Sequence, residues 1–77
     1  MIIDFKKNSI GAMQYSVFDA VTGEDIGEKL AIFYADDEKG IIRYYLEDDH
    51  GNFYEVPGNP DKFAWDEQER KIVIKRV

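Results

Sequence analysis

The sequence predicts an all-β domain with at most one short helix: a small antiparallel meander of about six strands, forming a barrel or a two-layer sandwich. Three observations carry this. Apolar residues recur at period two, as at Ile42, Tyr44 and Leu46. The alternating segments are short and separated by Gly with Asp or Asn, the punctuation of hairpins. The chain of 77 residues also has no linker, low-complexity tract or long repeat, so one domain is expected over residues 1–77.

Ile3 and Phe5 flank Asp4 in a short first strand, and Asn8 to Gly11 reads as a turn. Gln14 to Ala20 follows as a strand with Tyr15 and Val17 on one face, closed by Thr22-Gly23. Lys29 to Ala35 is apolar on both faces, with Leu30, Ile32 and Tyr34 alternating against Ala31, Phe33 and Ala35, as in a strand covered on both sides. Ile26, Leu30, Phe33 and Tyr34 also fit helical spacing, and Thr22 could cap such a helix with Glu24 and Asp25 in its first turn. Gly27 and the aromatic and β-branched content favour strand for residues 29–35, so any helix is confined to Thr22–Tyr34.

The loop Asp36-Asp37-Glu38-Lys39-Gly40 leads into a strand from Ile41 to Glu47, whose face of Ile42, Tyr44 and Leu46 turns to the core. Asp48 to Asn52 is a second tight turn, and Phe53 to Val56 a short strand. Both turns carry Gly where a three-to-five-residue hairpin loop needs a positive φ. Pro57 and Pro60 interrupt the pattern because proline donates nothing to a ladder. Phe63 and Trp65 lie one pleat apart, and Asp66 to Arg70 turns the chain into a last strand with Ile72 and Ile74 on one face. On this reading Trp65 is buried, against Ile72 or Ile74.

Composition narrows function mostly by exclusion. There is no cysteine, and His50 is the sole histidine; one imidazole cannot build a zinc site. His50 has no nucleophile near it in sequence, since Ser9 and Ser16 are distant and neither lies in a nucleophile elbow. The clusters Asp36-Asp37-Glu38 and Asp48-Asp49 lack the ligand spacing of an EF-hand loop, no phosphate-binding glycine loop is present, and so short a chain has little room for the cleft of a glycosidase. Neither an enzyme nor a cofactor is expected. No apolar run approaches a membrane span, and Met1 to Lys7 lacks the order of a signal peptide, so a cytoplasmic protein is expected. The net charge is −6. Residues 36–69 hold eleven acids against three bases, whereas residues 70–77 hold four bases and no acid. The acidic middle argues against direct nucleic-acid binding.

From Tyr34-Ala35-Asp36-Asp37-Glu38-Lys39-Gly40, through Ile41-Ile42-Arg43-Tyr44-Tyr45-Leu46, to Glu47-Asp48-Asp49-His50-Gly51, the chain resembles small hypothetical proteins encoded by tailed phages and prophages. They share its order of apolar strand, acidic turn ending in Gly, apolar strand, second acidic turn and basic closing strand. The likeness covers roughly residues 22–77. It implies a phage-type origin and brings no activity to any residue.

The aromatic residues are more than one thin core needs. Adjacent rings on a strand point to opposite faces, so Tyr45 and one of Phe53 or Tyr54 are candidates for an exposed patch of the kind enriched at interfaces. The expected function is therefore protein–protein interaction, as an accessory protein or an inhibitor of a host protein. A partner with a basic surface would meet Asp36, Asp37, Glu38, Glu47, Asp48 and Asp49, with Tyr45 as anchor. A nucleic-acid mimic and a minor structural component of a virion are the alternatives.

Overall fold

The computed structural model describes the backbone of residues 1–77 and the side chains of all except 59–61. Over these residues the order is β1 (Ile2–Asp4), α1 (Ser9–Ala12), β2 (Tyr15–Asp19), α2 (Ile26–Lys29), β3 (Ala31–Asp36), β4 (Ile41–Tyr45), β5 (Glu55–Val56), β6 (Asn59–Phe63), β7 (Trp65–Glu69) and β8 (Ile72–Arg76). A four-stranded antiparallel sheet, β1-β3-β4-β7, packs against the antiparallel pair β2-β8, while β5 and β6 form a separate ladder. No closed barrel forms among the described residues, so the two-layer sandwich is the architecture. No helix is long and apolar enough to cross a membrane.

The expected antiparallel all-β fold is present, with two differences of detail. The strands number eight rather than about six, and β2 pairs with β8 outside the main sheet. β2 and β8 each offer one apolar face, Tyr15 with Val17 and Ile72 with Ile74, and bury it by leaving the main sheet to form the second layer. The helix is not confined to Thr22–Tyr34 either. Asn8 to Gly11 is no open turn: the Asn8 side chain accepts the Gly11 N–H at 3.0 Å and caps the single helical turn α1. The expected strand over residues 29–35 is present as β3, preceded by the one-turn α2, which buries Ile26.

The core between the layers is Ile3, Val17, Ala35, Ile42 and Ile72, closed by Ala12 of α1 and Ile26 of α2. Phe5, Tyr15, Leu30, Ile32, Tyr44 and Ile74 pack around it. β3 departs from strict alternation. Its register against β4 shifts between Ile32 and Tyr34, leaving Phe33 as a bulge. Two successive side chains, Phe33 and Tyr34, thus share the outer face, while Ile32 and Ala35 both reach the core.

One local device recurs at four bends. Asp4 accepts the Lys6 and Lys7 amides, Asp19 those of Val21 and Thr22, Asp36 those of Glu38 and Lys39, and Asp48 those of His50 and Asn52. In each case a carboxylate, at the last residue of β1, β2 or β3 or just after the Glu47 bridge, holds the N–H groups two and three or four residues on, which turns the chain without a long loop. Glycine is required at Gly40, where φ is 67° and an added Cβ would lie 3.1 Å from the Arg70 carbonyl oxygen. At Pro57-Gly58, Gly58 has φ 76°, the type II turn pattern, and β6 resumes at Asn59 rather than after the second proline.

Asp19 has a second task. Besides its two amides it accepts the Arg70 Nε–H at 2.7 Å, which ties the β2 end to the β7–β8 connection. The Thr22 amide, the Arg70 guanidinium and the Val21 amide hold its carboxyl down to about 2 from the usual 3.8. A depressed folded pKa stabilises the fold fully above the unfolded value, and the contribution is lost as pH falls through the folded one. The melting temperature is therefore expected to fall between about pH 4 and pH 2 as Asp19 protonates. Asp19→Asn should start lower at neutral pH and run flatter across that window. A wild-type slope in Asp19→Asn would place the acid sensitivity in other carboxylates.

Candidate functional site

The outer face of the four-stranded sheet carries rings where a soluble sheet usually carries charge. Phe33 at the bulge is 7 % exposed and forms the base of the cluster. The Tyr45 ring lies 4.6 Å from it between centroids, and Trp65, directly opposite Tyr45 in the β4–β7 register, meets it edge-on at 5.7 Å. Phe53 and Phe63 complete the cluster, at 5.4 and 6.0 Å from Tyr45 and 5.5 Å from each other. These separations lie in the favourable range for tilted and edge-to-face pairs.

The backbone explains how rings from four segments converge. Beyond β4, the Leu46 N–H donates to the Ala64 carbonyl at 3.0 Å, the Ala64 N–H to the Tyr54 carbonyl at 2.7 Å, and the Tyr54 N–H to the Leu46 carbonyl at 3.2 Å. Three strands thus close a ring of three hydrogen bonds instead of lying flat. The closure folds the β5–β6 ladder over the end of the sheet and brings Phe53 and Phe63 onto Tyr45. Trp65, Phe63, Phe53 and Tyr54 nevertheless stay 49, 40, 39 and 53 % exposed.

Cations border the rings. Lys6 Nζ stands 4.7 Å from the Phe33 centroid and 5.9 Å from that of Tyr45. Arg43 lies across the face, 4.7 Å from the Tyr34 ring and 5.6 Å from that of Trp65, with its Nε donating to Glu67 Oε1 at 2.9 Å. A cleft of about 360 Å³ opens between Lys6, Tyr45, Val56, Lys62, Phe63 and Trp65.

No family model matches this chain, and no curated protein or solved structure does so either. The site therefore has to be read from its own chemistry.

The acidic candidates do not form one surface. Asp36, Asp37 and Glu38 occupy the β3–β4 turn, while Glu47, Asp48 and Asp49 lie at the opposite end of β4, about 20 Å away at 3.3–3.4 Å per residue. Asp36 is only 2 % exposed and faces its own turn amides, so it offers a partner no carboxylate surface. Asp37 binds the N-terminal ammonium at 2.6 Å and raises that amine's pKa. Asp48 is held below the usual carboxylate range by the Asn52 and His50 amides. Glu38, Glu47 and Asp49 are the exposed members. Glu47 pairs with Phe53 across an isolated bridge, which sets it beside the rings, on the side that holds Tyr45.

Trp65 is the clearest correction. The alternation places it under Ile72 or Ile74, but it stands on the outer face at the β7 edge. The sequence did contain the signal: residues two and four beyond it, Glu67 and Glu69, share its face of the strand and are acids. The convergence of Phe33 had no such signal, since a bulge leaves no mark in the alternation.

Among the described residues no group of three His, Asp or Glu side chains could hold a metal ion. Asp36 and Asp48 already spend an oxygen on two amides each. A chelator is expected to leave the melting temperature unchanged, and a large rise with micromolar Ca²⁺ would overturn this.

Proposed function

We propose that this chain is a protein-interaction module that works through the aromatic outer face of its four-stranded sheet. One observation carries the reading: three rings, Trp65, Phe63 and Phe53, each with about 150–250 Å² of surface, remain 39–49 % exposed in one cluster around Phe33 and Tyr45. That leaves roughly 250 Å² of apolar surface from these rings, to which half-buried Tyr45 adds, close to the 300–600 Å² of patches that are often functional. A standard interface takes about 800 Å² per partner, so the rings would form its centre and polar groups its rim. The exposed acids Glu47 and Glu55, paired across strands with Phe53 and Phe63, lie at that rim and favour a partner with basic groups around an apolar centre. A small accessory protein that occupies a surface of a larger one fits this description. The mimic of nucleic acid is less well supported, because the acids cluster in turns at opposite ends of β4 rather than in rows.

The test is quantitative capture from bacterial lysate with four baits: the wild type, Trp65→Ser, Phe63→Ser, and a charge reversal of Glu47 and Glu55. Partners lost with both ring variants, at unchanged melting temperature, support the aromatic face. Weaker or slower capture with the reversed variant supports the acidic rim. If every partner survives both ring substitutions with unchanged affinity, the reading is wrong.

A further inference from the structure

The four-stranded sheet ends in an open strand, because β7 pairs with β4 on one side only. Two bonds bracket that ladder: the Leu46 N–H donates to the Ala64 carbonyl at 3.0 Å, and the Arg70 N–H to the Gly40 carbonyl at 2.7 Å. Bonding alternates along an antiparallel strand, so the even residues between them face β4. Trp65, Glu67 and Glu69 therefore turn their N–H and C=O groups away from the sheet. The Glu67 N–H agrees with this, since Asp66 Oδ1 holds it at 2.8 Å. Among the described residues no other strand or loop bonds to these outward groups, and Trp65, Asp66, Glu67 and Glu69 are all exposed.

An open edge is a template for another strand, which proteins usually guard with charge. β7 carries Asp66, Glu67 and Glu69 and no base. Two such edges oppose acid to acid, so a second copy of β7 is the wrong occupant. An exposed tryptophan works against a guard, and Trp65 stands 49 % exposed where the edge meets the aromatic face.

The side chains specify the strand that fits. Glu67 already has Arg43, whereas Asp66 and Glu69 form no ion pair among the described residues. Lys6 and Lys62 flank the cleft that Trp65 lines. The complement is thus an apolar residue beside Trp65 and a base beside each of Asp66 and Glu69. The base at Asp66 has a second effect: it draws that carboxylate off the Glu67 amide and frees the amide for an incoming carbonyl.

We propose that an extended basic segment of a partner protein adds to β7 as a further antiparallel strand of the four-stranded sheet. This rests on the reading of the aromatic face, because Trp65 serves both, and adds the β7 backbone as the element with which the partner pairs.

The probe is the capped peptide Lys-Val-Thr-Lys-Leu, whose antiparallel register sets its lysines against Glu69 and Asp66 and its leucine against Trp65. Amide hydrogen exchange of the full chain, followed by NMR, reads the result. With the peptide at about ten times its Kd, exchange at Trp65 and Glu69 should slow about tenfold, as the bound fraction dictates. The counterpart Glu-Val-Thr-Glu-Leu should give no protection, because its charges repel those of the edge. The lysine peptide N-methylated at its threonine should give none either, because the central ladder bond is lost. Glu69→Lys, at an unchanged melting temperature, should weaken the lysine peptide roughly 2–10-fold. Unprotected edge amides at millimolar lysine peptide, or equal protection by either control peptide, would overturn the proposal. A peptide that shifts only the ring signals of Phe53, Phe63 and Trp65 sinks the strand addition and leaves the aromatic face standing. Protected edge amides, with every captured partner retained by both ring variants, sink the aromatic reading and leave the strand site.

Discussion

Ile42→Ala should lower the melting temperature by roughly 8–40 °C, at about 4–8 °C per kcal/mol for a domain of this size. Ile42 is 0 % exposed and sits mid-strand in β4, between Ala35 of β3 and Gln68 of β7. Truncating a buried isoleucine costs about 2–5 kcal/mol, the lost transfer energy plus the cavity left behind. The cavity part should be large here, since the neighbour Ala35 is itself at 0 % exposure and too short to fill the gap. A chain of 77 residues has about 4–12 kcal/mol of total stability, so one side chain accounts for a large share. Thermal unfolding followed by circular dichroism measures the effect, with Ile42→Val, at about 0.5–1.5 kcal/mol, as the graded control. A fall of only a few degrees in Ile42→Ala would mean that the two layers do not meet at this residue.

Phe33→Ala should cost about 3–5 kcal/mol, the usual range for a buried phenylalanine, and should also loosen the outer face. Phe33 supports Tyr45 from one side and the edge of Trp65 from another, with Lys6 above it. Without it, Trp65 keeps Arg43 as a neighbour but loses its aromatic contact. Trp65 is the sole tryptophan, so its fluorescence should shift to the red, toward that of a solvated indole, in the folded variant below its melting point. Trp65→Ala, by contrast, removes a half-exposed ring and should cost far less stability than Phe33→Ala. Equal costs for the two, or an unshifted emission in Phe33→Ala, would contradict the arrangement of the cluster.

Much of the fold was legible because it rests on alternation. Ile42 and Tyr44, Val17 and Tyr15, and Ile72 and Ile74 all face the core as period two requires. Tyr45 and Phe53 do meet outside the core, and their half-exposed state follows from adjacent rings having to face opposite ways. What escaped the sequence is of two kinds. The bulge at Phe33 and the ring of bonds joining Leu46, Tyr54 and Ala64 arise from register, which depends on strands distant in sequence. The sequence offers the acids as one surface, whereas several of them are turn-makers. Asp36 and Asp48 look like part of a charged run, yet their oxygens face their own backbone.

The aspartate bends make electrical character and shape separable in this protein. At Asp4, Asp36 and Asp48 the backbone amides need an acceptor oxygen, and an asparagine side chain supplies one as well as a carboxylate does. Asn at those three positions would take the net charge from −6 to −3 while keeping every turn bond. Asp19 is the exception, because Arg70 needs its charge. Descendants of this chain are thus free to drift widely in acidity along one unchanged topology. Acidity shared among relatives at Asp4, Asp36 and Asp48 would then signal selection for the charge itself, since folding alone does not demand it.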